Sequence, residues 1–185
     1  IRQEFPAVSL EIVPSDSVEN LLLRESDIAI RMFRPTQLEL IAKKIGEVKL
    51  VAAAHTSYLA ARGTPQTAAD LLQHDLIGPD RSDVLITTAR AMGYDLDRDN
   101  FIIRTDSLTT VWEMMKAGLG IGFAQEGLVR DTPGMREILP LVTPPPLEVW
   151  LTTHRELFLS ARIRAIYDRL AAGLADYLHR PSRHA

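Results

Sequence analysis

Polar side chains gather just past short apolar runs: Ser15 and Ser17 after residues 8–13, Arg31 and Phe33 after 27–30, and Thr105, Asp106 and Ser107 after 101–104, while Phe123, Ala124 and Gln125 close the run that starts at Ile121. Where a strand ends, the backbone leaves its hydrogen-bonding ladder, and polar groups there can be held still and aimed at a small molecule. The chemistry such a set offers is recognition: hydroxyl and amide hydrogen bonds, a fixed positive charge at Arg31, and aromatic walls at Phe33 and Phe123. These residues are the candidate ligand contacts. Each group has a structural competitor. Ser15, Ser17, Asp106 and Ser107 could instead cap helices, Arg31 could form a surface ion pair, and Phe123 could pack in the core.

Patterns that would signal catalysis are weaker. Gly118-Leu119-Gly120-Ile121-Gly122 has the glycine density of a phosphate loop, but that fingerprint needs a strand before the glycines and a helix after them. Here a helix precedes and a strand follows, which suits a helix C-cap and tight turn. The five histidines show no ligand spacing on a helix face, and the absence of cysteine removes thiolate metal sites and cysteine nucleophiles. No nucleophile-elbow pattern accompanies a serine. The expectation is a non-enzyme with no cofactor and no metal.

The elements that must position these residues follow from periodicity. Residues 8–13 alternate apolar and polar as a strand ending at Pro14. Asp16 and Glu19 stand in capping-box spacing ahead of a short helix over 18–24, and a second strand follows over 27–30. Strand, helix and strand within so short a span predict a βαβ unit and a parallel sheet. Residues 38–54 read as strand, turn and strand. Thr67 caps a helix over 68–73, a strand follows at 75–77, and a helix spans 84–92. A strand at 101–104, a helix whose apolar face is Leu108, Val111, Trp112 and Met115, and a strand at 121–124 predict a second βαβ unit. After Pro144-Pro145-Pro146, Leu147, Val149 and Leu151 alternate as a strand. A final helix from Ser160 carries the stripe Ile163, Ile166, Tyr167, Leu170, Leu174, Tyr177 and Leu178.

The composition is that of a globular chain: 46% hydrophobic and 24% charged over 185 residues. A net charge of -3 with both signs scattered disfavours autonomous nucleic-acid binding. No run reaches the roughly 20 apolar residues of a membrane span, and the first residues do not read as a signal peptide, so a cytoplasmic chain with no membrane partner is expected. The fold class is α/β, with two Rossmann-like lobes and an interlobe cleft. Residues 1–55 plus 154–185 would form lobe I, and 56–153 lobe II.

Four segments in collinear order resemble one family. Phe5-Pro6 followed by Asp27-Ile28-Ala29-Ile30-Arg31, the stretch 57–78 with Tyr58-Leu59 and Gly63-Thr64-Pro65, the glycine-rich turn of 117–129, and the proline-rich entry at 144–153 all resemble the effector-binding domain of LysR-type transcriptional regulators. The resemblance implies a periplasmic-binding-protein-like pair of lobes, a small-molecule effector such as an organic acid, and a homodimer or homotetramer in which the 108–117 helix of one copy lies near the first helix of another. It also implies that DNA is bound only through an N-terminal winged helix-turn-helix absent from this chain, and that a first strand and most of a first helix precede it. A solute-binding protein of a transport system is the alternative use of such lobes.

Overall fold

The computed structural model describes residues 1–15 and 26–179. They fall into two compact units: Ile1–Val48 with Leu147–Pro181 forms unit 1, and Lys49–Pro146 forms unit 2. The two crossings lie at Val48/Lys49 and Pro146/Leu147, whereas the periodicity puts them near His55 and His154. The reason is strand pairing. β2 (Leu40–Val48) is paired along its length with β8 (Leu147–His154), while β3 (Leu50–His55), one residue further on, pairs only within unit 2.

Unit 1 is built on a three-stranded sheet of order β1-β8-β2, with β1 at Ile28–Arg31. Both neighbours run antiparallel to β8. This corrects the parallel βαβ reading of the first lobe. β1 and β2 do run in the same direction, but β8 arrives from over a hundred residues away in sequence and inserts between them, and local periodicity carries no signal of that. Residues 8–13, expected as a strand, join no sheet, and Ile12 is 85% exposed. Alternation supplies an amphipathic run, but a strand also needs a ladder. The segment before it is instead turned and pinned: Arg2 donates to the carbonyls of Pro6 and Val8, and Glu4 accepts twice from Arg169 Nε at 2.7 and 2.8 Å. The helix expected over 18–24 lies outside the described residues.

One face of this sheet is covered by α6 (Ala161–Leu178), which starts from Ser160 as expected. Tyr167 and Ala171, with Leu170 and Leu174, pack against fully buried Leu151 and against Ile28 and Ile45. The predicted stripe is the face turned inward, and Arg162, Arg164, Asp168 and Arg169 are exposed between its members. Tyr167 donates its hydroxyl proton to Leu151 O at 2.9 Å, and burial pushes its pKa up. A β-bulge between Lys44 and Gly46 lets Gly46 meet the end of α6, where an added Cβ would lie 2.9 Å from Leu178 Cδ1.

Unit 2 holds a mixed sheet. β6 (Gly122–Gln125) and β7 (Met135–Glu137) flank β3 antiparallel, β4 (Leu76–Gly78) and β5 (Phe101–Arg104) pair parallel, and a parallel bridge between Leu76 and Ile121 joins the two sets. The strand–helix–strand over 101–124 therefore exists, but β4 separates β5 from β6, so the adjacent parallel pair is β4 and β5, connected through α2 (Val84–Ala91). Both faces are covered. Val51 and Ala53 face a cluster with Ile77, Val111 and Met115, while Ala52 and Ala54 face Tyr58, Leu76, Phe101 and Ile121. Burial on two sides is why residues 51–54 are continuously apolar and small. On α3 (Leu108–Lys116), Val111 and Met115 point inward as predicted, whereas Leu108 at the first turn is 66% exposed. Gly118 takes φ 74° just past the helix end, the left-handed residue of the expected C-cap.

Candidate functional site

In unit 2 the C-terminal ends of β4, β5 and β6 share one edge, because all three run parallel. Thr105, Asp106 and Ser107 lie there beyond β5, and Gln125 ends β6. The structure brings these together on one edge and shows how each is occupied. Thr105 donates its N–H to Gly78 O at 2.9 Å, and its hydroxyl accepts from Ser107 N at 3.2 Å. Ser107 is the N-cap of α3, its Oγ accepting from Thr110 N at 3.3 Å and from Thr110 Oγ1 at 3.0 Å.

Asp106 organises the neighbouring loop. Its Oδ1 accepts from the backbone N–H groups of Asp80, Arg81 and Ser82 at 3.0, 3.0 and 3.1 Å, and Oδ2 accepts from Arg81 N and Nε. Those donors, Ser82 and Arg81 foremost, stabilise the carboxylate and lower its pKa to about 2. The 79–82 loop is the part of this edge that sequence reasoning left without a role; Pro79-Asp80-Arg81-Ser82 is a turn signal that could have flagged it.

Phe123 and Ala124 are half-buried members of β6, registered with Ala52 and Val51, and each packs against one of the two core clusters. Gln125 is half-buried, pairs with Leu50 and precedes α4 (Glu126–Asp131). Beside α4 and β7 lies an open groove of about 700 Å³ lined by polar and apolar residues alike, among them Thr56, Val129, Arg130, Pro133, Met135 and Arg136. His55 Nδ1 sits 2.8 Å from Ser57 Oγ and accepts Ser57 N–H at 3.2 Å, capping α1 (Thr56–Arg62), while its Nε2 is packed against Gly134. On this geometry the pair serves to start a helix.

In unit 1, Ser15 is exposed, and Ser17 falls outside the described residues. Arg31 ends β1 and Phe33 follows it, both half-buried. Arg31 is registered with Trp150 on β8, which is registered in turn with Lys44 on β2, so the three side chains share the sheet face opposite α6. Lys44 is neutralised there by Glu148 at 2.7 Å and Glu47 at 2.8 Å, hydrogen bonds that raise its pKa. Glu148 also accepts from Trp150 Nε1 at 2.9 Å, and the Arg34 guanidinium lies over the indole, 5.7 Å from its centroid. Burial lowers the Arg31 pKa. Its Nε is enclosed and has no hydrogen-bond partner.

Comparison with known proteins gives a consistent picture. A family model described as the LysR substrate binding domain matches residues 1–175. The regulatory domain of CrgA, a LysR-type transcriptional regulator from Neisseria meningitidis, superposes with a TM-score of 0.82 at 24% identity, covering 94% of this chain and 87% of that one. In sequence, the HTH-type transcriptional regulator CrgA of N. meningitidis serogroup C (strain 8013) is 33% identical over 76 residues, 41% of this chain and 25% of its own length. The HTH-type transcriptional activator AaeR of Escherichia coli (strain K12) is 26% identical over 125 residues, 65% of this chain and 40% of its own. The matched stretches thus span less than half of these curated regulators.

Proposed function

The chain belongs to the LysR substrate binding domain family, and on that premise we propose that it is the small-molecule effector-sensing part of a LysR-type bacterial transcription regulator. The observation that carries the reading is the family match along residues 1–175, with strand-end polar residues in both units. The named relatives are helix-turn-helix transcriptional regulators, which favours this reading over a solute-binding protein of a transport system. DNA contact then belongs to an N-terminal domain outside this chain, in a cytoplasmic homodimer or homotetramer. Among the described residues no helix is long and apolar enough to cross a membrane.

The effector in this reading is an organic acid, and its candidate contacts are Ser15, Ser17, Arg31 and Phe33 within unit 1 and Thr105, Asp106, Ser107, Phe123, Ala124 and Gln125 within unit 2. Asp106 and Ser107 contribute chiefly by shaping the edge, since their oxygens already accept backbone hydrogen bonds. No bond is made or broken and no cofactor is needed. Binding favours one of two arrangements of the chain through differential affinity, and a coupling of about 1–3 kcal/mol is enough to bias an attached DNA-binding domain.

Calorimetric titration with a panel of small carboxylates, amino acids and neutral aromatics tests the proposal. At least one compound binds saturably, once per chain. Absence of any saturable heat across the panel overturns the sensor reading.

A further inference from the structure

Two α-helices of unit 2 open on a side-chain cap, and the caps differ in chemistry. α3 is started by the Ser107 hydroxyl, which accepts from Thr110 N and does not titrate. α1 is started by an imidazole: His55, the last residue of β3, accepts the Ser57 N–H on Nδ1 at 3.2 Å, and the same nitrogen lies 2.8 Å from Ser57 Oγ. Serine, threonine, aspartate and asparagine are favoured in such places, whereas histidine is the side chain that changes charge near neutral pH.

Position alone does not make this cap. His154 stands at the matching junction in unit 1, between β8 and α5 (Arg155–Phe158), and its ring makes no capping bond. The His55 ring is seated against Gly134, which takes φ 83° and has no side chain to fill the place of Nε2. An Nδ1 that accepts an N–H has its lone pair there, so the proton of the neutral ring sits on Nε2. A second proton turns Nδ1 into a donor facing the Ser57 N–H, and it puts a positive charge at the start of a helix, where the dipole opposes it. The Ser57 hydroxyl is then the acceptor left to the ring.

Among the described residues no carboxylate bonds to the ring. α1 has no acid in its first turn and Arg62 in its last. On β7, Arg136 and Glu137 follow Met135, the residue registered with His55. α4 brings Glu126, Arg130 and Asp131 to the groove that Thr56 and Gly134 also line, with Asp131 held by Arg130 and Glu126 3.8 Å from Lys49. Gly118 packs on the Ser57 hydroxyl, and Lys116 before it is paired with Glu113.

The cap matters beyond its own turn. Three residues on, buried Tyr58 accepts the Asp75 N–H on its hydroxyl at 2.8 Å, and Asp75 O accepts the Ile121 N–H at 2.9 Å beside the Leu76–Ile121 bridge that joins the two strand sets of unit 2. We propose that His55 is a pH-sensitive cap: unprotonated, it starts α1 and keeps Tyr58 seated on Asp75; protonated, it releases the first turn of α1 and loosens that joint. This holds whether or not the chain senses a small molecule.

The test is NMR on the isotope-labelled chain from about pH 8 to about pH 5, either side of the imidazole range, for wild type, His55→Asn and His55→Ala, with amide exchange corrected for its intrinsic pH dependence. At the upper pH the wild-type His55 ring carries its proton on Nε2. At the lower pH the protection of Ser57 and of residues 60–62 has fallen roughly fivefold, the loss of one cap, while residues 111–114 of α3 keep theirs. Asparagine is an acceptor that does not titrate, so His55→Asn holds the protection of α1 at both ends of the range. His55→Ala is low at both; if it does not fold, His55→Asn and the ring tautomer still decide. His74, whose Nδ1 lies 3.2 Å from the Tyr58 hydroxyl and which has Asp70 and Asp75 about it, is unchanged in these variants. A fall that persists in His55→Asn therefore belongs to His74 and overturns the proposal, as does a neutral ring protonated on Nδ1 or an α1 whose protection ignores pH.

Discussion

At the strand ends of unit 2, polar side chains are engaged by the fold itself: Asp106 gathers the backbone N–H groups of Asp80, Arg81 and Ser82, and Ser107 caps α3. At the end of β1 in unit 1, the Nε of half-buried Arg31 is enclosed and has no hydrogen-bond partner. Both sets sit after strands and look alike as sequence. The difference is that the Ser107 hydroxyl finds donors a few residues away in its own helix and the Asp106 carboxylate finds them on the neighbouring 79–82 loop, whereas the Arg31 Nε in a sheet needs an acceptor that neither β8 nor β2 supplies. A rigid, satisfied edge is suited to shape a ligand's surroundings, and an unsatisfied cation is suited to bind it.

The two units also differ in how their cores are closed, and substitutions there should have the largest effects. Met115 and Leu151 are both 0% exposed. Met115→Ala, between sheet and helices in the doubly covered unit 2, is expected to cost about 2–5 kcal/mol in urea unfolding. Leu151→Ala, beneath α6 alone, is expected toward the lower end of that range, and the reverse order would contradict the contrast in packing.

Asp106→Ala should come next, because it strips the 79–82 loop of its common acceptor: the melting temperature falls. The pH dependence has a definite sign. The Asp106 carboxyl titrates at about 2 in the fold against about 3.9 in an unfolded chain, so its contribution is complete above about pH 4 and is lost as pH falls toward 2. Wild type should lose stability across that window more steeply than Asp106→Asn, as followed by circular dichroism.

Ser107→Ala removes an N-cap and is expected to cost about 1 kcal/mol, with Ser107→Gly costing only a few tenths. The smallest effect belongs to unit 1. Glu4→Gln breaks the exposed pair with Arg169 and should change stability by about 0–1 kcal/mol, vanishing in high salt.

Much of the fold was legible because periodicity reports which face of an element is buried. The α3 and α6 helices, the start of α6 at Ser160, and strands expected at 75–77, 101–104 and 147–152 follow from spacing, and the structure has these strands at Leu76–Gly78, Phe101–Arg104 and Leu147–His154. Partners that lie far along the chain were not legible. β8 inserting between β1 and β2 turned an expected parallel sheet antiparallel, and Val8–Val13 alternates as a strand would yet has no ladder. The α1 and α4 helices were too short for a period to register. At the site, the capping alternative describes the contacts of Ser107, Asp106 instead gathers the 79–82 loop, and Phe123 packs against the core. Arg31 was legible as a fixed charge, but its lack of a counter-ion was not, since that depends on which acids Lys44 claims.

The account turns on a contrast between two residues in one binding measurement. For the most strongly bound acid of the panel, calorimetry on Arg31→Gln should show affinity reduced about 10- to 100-fold, the loss of a charge-assisted hydrogen bond, while Ser107→Ala changes it by less than about threefold, roughly 0.6 kcal/mol. Equal losses in the two variants, or an unchanged affinity in Arg31→Gln, would contradict it.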